Sequence, residues 1–155
     1  SSDVCSSDLQ LALAADLRIA HPQTQMSIME SRWGLVPDMG LTQSLKDLIP
    51  IDLAKELTLT ARVFDGQYAH QIGLVTHIDE QPFEQALRLA TEIQQRSPDA
   101  LLAAKRVLDA MRYHPNKALR LEKIWQLKLL LGKNSKIARR KDKHPETSFS
   151  PRQFQ

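Results

Sequence analysis

Apolar and polar residues alternate from Met26 to Ile28, and the apolar character continues through Met29, Trp33 and Leu35. That alternation predicts a half-buried strand ending near Glu30, while Gly34, Pro37 and Gly40 predict a turn that enters a helix. After Pro50 the pattern is mostly helical. It predicts a short helix over 51–60 and a turn at Phe64, Asp65 and Gly66. Gln67 to Gln71 then leads through Gly73 into an apolar strand over 74–78. Phe83, Ala86, Leu87, Ala90 and Ile93 recur at helical spacing. The next helix has Ser97 as N-cap, Pro98 at its first position, and Leu101, Ala104, Leu108 and Met111 along one face. Asn116 opens a third helix. Its stretch from Ile124 to Leu131 is apolar on more than one side, which predicts burial against its own core and against a second surface.

Composition narrows the class without naming a function. A chain of 155 residues with 42% hydrophobic and 25% charged residues suits one globular domain. No apolar run approaches the ~20 residues needed to cross a bilayer, and the first residues lack the basic-then-apolar order of a signal peptide. The single cysteine, Cys5, excludes an internal disulfide framework. These features predict a cytoplasmic protein.

Two carboxylates, Glu30 and Asp38, stand at the ends of the apolar stretch. A carboxyl group held among Met26, Met29, Trp33 and Leu35 loses hydration, which disfavours its charged form and suits it to proton transfer. Asp38 has two readings: it caps a helix beginning near Met39, or it acts as a second acid or base. Glu30 read without chemistry is a surface carboxylate at a strand end. The five histidines show no close metal-ligand spacing, so no metal site is expected. There is no G-x-G-x-x-G, no complete phosphate loop around Gly132, and no G-x-S-x-G elbow.

Three blocks in order carry a family likeness: L-Q-L-A-L-A-A-D-L-R-I-A from Leu9, M-S-I-M-E-S-R-W-G-L-V-P-D-M-G-L-T from Met26, and L-T-L-T-A-R-V-F-D-G-Q-Y-A-H-Q-I-G-L-V from Leu57. They resemble the crotonase superfamily, enzymes of acyl-CoA thioesters with enoyl-CoA hydratases and isomerases as central members. The resemblance implies an α/β fold, the C-terminal part of a ββα spiral, followed by an α-helical oligomerisation region in an N-terminally truncated member. Hydratases of the family carry two glutamates twenty residues apart. The second matches Glu30 and the first falls on Gln10, which cannot take or give a proton at neutral pH. Dienoyl-CoA isomerases place another acid eight residues after the second glutamate, here Asp38, although they also have an acid where this chain has Gln10. The resemblance thus implies Glu30, Asp38 and Gln10 as site residues. Gln10 would hold water or the acyl chain, or lie on a helix flank. Trp33, Leu35, Pro37 and Met39 are the implied substrate contacts.

The family sets a Gly-rich turn, with a backbone N–H of the oxyanion hole, before the helix that holds Leu9 to Ala15. Here Ser6, Ser7 and Asp8 occupy those positions, inside a foreign-looking segment over 1–8. The remaining divisions are a spiral core over 9–80, a helical oligomerisation region over 81–133, and a basic tail over 134–155. The cluster Lys133, Lys136, Arg139, Arg140, Lys141 and Lys143 reads as a solvated helix face with a mobile tail, or, by resemblance, as a contact to CoA phosphates through Lys136 and Arg140. The implied partners are an acyl-CoA substrate and further copies of the chain, as homotrimer or hexamer, without nucleic acid or membrane. CoA is part of the substrate, so no separate cofactor is expected. The contrasting reading is a noncatalytic fragment or an assembly module built from the helices between Phe83 and Leu131.

Overall fold

Leu9 and Leu13 lie four residues apart and are both buried, which gives helix α1 (Ser6–Leu13) an inward face. The structure, a computed structural model, describes residues 6–155; Cys5 and the rest of the segment before Ser6 lie outside the described residues. Contacts divide the chain into two compact units, Ser1–Leu87 and Arg88–Gln155.

In the first unit α1 is followed by strand β1 (Ile19–Ala20), a 3-10 helix (Glu30–Trp33), α2 (Leu41–Leu45), α3 (Ile51–Thr60), α4 (Gly66–Gln71) and strand β2 (His77–Ile78). The two strands pair in parallel, Ile19 opposite His77 and Ala20 opposite Ile78. Such pairing requires a long crossover, and α2 to α4 lie within it. Arg18 reinforces the junction: its Nε donates to the carbonyl of Leu74 at 2.6 Å and its backbone N–H to Thr76 Oγ1 at 3.2 Å. Leu13, Ile28, Leu41, Leu57, Ala69 and Leu74 form the centre of the core.

Neither strand predicted from the sequence has its expected extent. Met26 makes one antiparallel bridge, to Phe64, and Met26, Ser27 and Ile28 are all buried. No half-buried alternation exists there, because even the polar position turns inward and Ser27 Oγ donates to the Ala61 carbonyl at 3.3 Å. At 74–78 only His77 and Ile78 are strand. The N–H groups of Leu74 and Val75 both reach back to the Ala69 carbonyl, so these apolar residues complete the end of α4. The helix over 51–60 is found at its predicted bounds as α3, with Ala54 and Leu57 buried. Asp65 caps α4 by accepting from the Tyr68 N–H at 2.8 Å.

α5 (Pro82–Gln94) carries the predicted apolar spacing yet has no buried residue, and Phe83 is 72% exposed. The second unit contains α6 (Pro98–Tyr113), α7 (Pro115–Leu131) and α8 (Lys133–Lys141). Ser97 is the N-cap of α6 as predicted, its hydroxyl accepting from the Ala100 N–H. Ala103, Ala118 and Trp125 are buried, whereas Leu108, Met111, Leu127 and Leu131 are exposed.

The C-terminal tail differs from the mobile segment expected. Asp99 and Asn134, each 1% exposed, are joined by a 2.7 Å hydrogen bond from Asn134 Nδ2 to Asp99 Oδ2. Asp99 Oδ1 accepts from the backbone N–H of Gln153 at 2.7 Å and of Phe154 at 3.2 Å. Asn134 also donates to the Ser150 carbonyl and accepts from its N–H. Buried polar groups persist where their partners are in place, and here the tail supplies them. Among the described residues no helix is long and apolar enough to cross a membrane.

Candidate functional site

Gln10 lies on the buried side of α1 and Glu30 opens the 3-10 helix, half-buried. The fold brings together these two positions, twenty residues apart: Gln10 Nε2 donates to Glu30 Oε1. The amide oxygen of Gln10 is itself buried and has no hydrogen-bond partner among the described residues. The pair therefore combines a carboxylate that can accept a proton with a fixed amide oxygen that can accept a hydrogen bond.

The backbone around Glu30 is held from several directions. Its carbonyl accepts from the Leu35 N–H at 2.9 Å, and Gly34, at φ 71°, closes the 3-10 helix in a left-handed conformation that glycine adopts without a side-chain clash. Ser31 Oγ donates to the Thr58 carbonyl at 2.6 Å and so ties the helix that carries Glu30 to α3. No spacing or motif in the sequence marks Ser31 for this task. Ser6 to Asp8, the positions of the expected turn, form the first turn of α1 instead.

Asp38 is exposed, and the capping reading is corrected. α2 begins at Leu41, its N-cap is Gly40, and no side chain caps it. Asp38 contributes its backbone carbonyl, which accepts from the Leu41 N–H at 2.9 Å. The next two residues, Met39 at φ 49° and Gly40 at φ 78°, are both left-handed. For methionine that conformation costs about 1–2 kcal/mol, and strain of this kind gathers near functional sites.

The apolar residues expected to enclose Glu30 do not all do so. Met26 is buried, but Trp33 and Leu35 are 72% and 64% exposed, and Met39 is half exposed. A side chain largely in solvent excludes little water from a neighbour, so the shielded partner of Glu30 is Gln10. Pro37 lines an apolar groove of about 620 Å³ with Leu41, Leu45, Ile49, Ala54 and Leu59; Lys46 and Lys55 also line it, and neither Gln10 nor Glu30 does. Lys136 and Arg140 lie one turn apart on α8 in the second unit, both exposed. Among the described residues no three His, Cys, Asp or Glu side chains are grouped so as to hold a metal ion.

Comparison with known proteins places this arrangement in context. Residues 4–136 match the family described as Enoyl-CoA hydratase/isomerase. The mitochondrial methylglutaconyl-CoA hydratase of Mus musculus is 41% identical over 103 residues, which cover 63% of this chain and 33% of that protein. The crystal structure of an enoyl-CoA hydratase from Polaromonas sp. JS666 superposes with a TM-score of 0.83 at 26% identity, covering 92% of this chain and 57% of that one. A Thermobifida fusca YX protein solved in complex with CoA gives a TM-score of 0.74 at 32% identity, covering 81% of this chain and 50% of that one. The chain spans about a third of the length of the curated relative and 50–57% of the solved structures.

Proposed function

From the premise that this chain belongs to the enoyl-CoA hydratase/isomerase family, we propose that its site carries out acid/base chemistry on an acyl-CoA thioester, with Glu30 as principal acid and base. The observation that carries this reading is the Gln10–Glu30 pair: a half-buried carboxylate held by a fully buried amide whose second polar atom still accepts a donor.

Moving a double bond beside a thioester requires removal of a weakly acidic carbon proton, stabilisation of the enolate oxygen, and return of a proton further along the chain. Glu30 takes the first proton. The second step falls either to the same carboxyl group or to Asp38, whose exposed position leaves it open to a bound substrate. Gln10 takes no proton. Its buried oxygen accepts from a water or from a substrate hydroxyl, which orients that group against Glu30. The first turn of α1 offers backbone N–H groups without helical partners at the position where the family places an oxyanion donor. Trp33, Leu35, Pro37 and Met39 supply apolar surface for the acyl chain, and Lys136 and Arg140 meet the CoA phosphates. The chemistry moves only protons, so CoA enters as part of the substrate and no separate cofactor is proposed. A cytoplasmic location belongs to the same proposal.

A second reading rests on the exposed apolar residues of α5 and α7, Phe83, Leu87, Leu127 and Leu131. On it the chain is a noncatalytic assembly module whose helices bind further copies, as a homotrimer or hexamer. One experiment separates the two. The purified chain is sized in solution and assayed for hydration of crotonyl-CoA. Turnover that falls about 100-fold or more in Glu30→Gln supports the enzyme; trimers without turnover support the module. Rapid hydration of crotonyl-CoA that is indifferent to Asp38→Asn overturns the isomerase-like use of Asp38.

A further inference from the structure

The second unit holds a cleft of about 560 Å³ between α6 and α7 that none of the chemistry above employs. Its polar lining is mostly basic: Arg106, His114, Lys117 and Lys128, with Asp109 as the acid, which itself lies 3.9 Å from Lys105. Trp125 lines the cleft and is 5% exposed. Two of the cations sit against that one ring, the Arg106 guanidinium at 5.4 Å and the Lys128 ammonium at 4.8 Å from its centroid. The ring's position is set in turn. Phe154 meets it edge-on at 6.3 Å, and the Phe154 N–H is bound to buried Asp99.

Both cations lie within 5.4 Å of the same ring centroid, and the cation–π attraction that places them neutralises neither. A ligand with two adjacent negative groups pairs with both cations in one cleft, with Lys117 and His114 adding to the field around it. A guanidinium and an ammonium both match phosphoryl oxygens. We infer that this cleft is an anion site for a small molecule bearing two adjacent phosphoryl groups, read by Arg106 and Lys128 over Trp125. It is distinct from the α8 cluster of Lys136 and Arg140, and no acid/base group of the proposed reaction lines it.

The test uses the full chain carrying Trp33→Phe, so that indole emission reports Trp125 alone. Inorganic pyrophosphate is titrated at constant ionic strength, and binding is followed in parallel by phosphorus NMR line width. The expected result is a saturable change by both readouts. Affinity falls about tenfold in each of Arg106→Gln and Lys128→Gln and is unchanged in Lys123→Gln, an exposed cation of α7 outside the cleft. Circular dichroism verifies the helix content of each variant, and Lys117→Glu, away from the ring, weakens binding even if an Arg106 or Lys128 variant unfolds. The proposal is overturned by a response that does not saturate, by one that sodium chloride reproduces, or by equal affinity in folded Arg106→Gln and Lys128→Gln.

Discussion

A glutamine beside the glutamate changes what each can do. With two carboxyl groups, one can hold a proton while the other lacks one; beside an amide that donates to it, Glu30 is the one member of the pair able to exchange a proton, and on the proposed reading Gln10 serves for position. Gln10→Glu therefore supplies a second acid at a site 1% exposed, where two carboxyl groups in contact share a proton rather than both ionise. This variant is expected to raise the hydration rate of crotonyl-CoA, seen as faster loss of the conjugated enoyl absorbance. An unchanged or slower rate would show that the amide is required. Gln10→Leu removes the donor to Glu30 and is expected to cost about 1–3 kcal/mol in chemical denaturation. Gln10 and Glu30 were legible as a pair only through the family resemblance, which implies two site positions twenty residues apart. The exposure of Trp33 and Leu35 was not, since apolar residues near a carboxylate in sequence enclose it only if the backbone turns them toward it.

At the scale of elements, helices follow their local signals and strands do not. α3 begins after Pro50 and ends at Ala61, which takes φ 48° as the left-handed residue closing the helix. Glycine is the usual residue there, since it avoids the clash between Cβ and the backbone. Ala61→Gly is accordingly expected to stabilise the chain by about 0.5–1 kcal/mol, because the strain relieved exceeds the entropy lost. The midpoint of urea unfolding measures it; a lower midpoint would mean that the buried methyl of Ala61 contributes more than its backbone angle costs. The strand segments depend on partners far along the chain. The apolar run from Leu74 reads as strand locally, yet its first two N–H groups are taken by the end of α4, and only the next residues reach β1.

At the scale of the whole molecule, the second unit depends on one buried carboxylate. Asp99 and Asn134 tie α6 to α8 and to the tail at Ser150, Gln153 and Phe154. Asp99→Ala leaves two backbone N–H groups and an amide donor without their acceptor, a loss of about 3 kcal/mol. Hydrogen exchange should register it as faster exchange over 88–155, with the tail opening first and the first unit unchanged; uniform protection in the variant would refute it. Much of the chain was readable before the fold was known: the bounds of α3, the cap at Ser97 and the apolar spacing of α5. These features rest on periodicity, capping and spacing, which act between residues close in sequence. The folded structure settled which apolar runs become strand, where Trp33 and Leu35 face, and how the tail is held. Each of those depends on partners such as Asp99 and Phe154, 55 residues apart, and a polar side chain is stable in the interior only once such a distant partner has arrived.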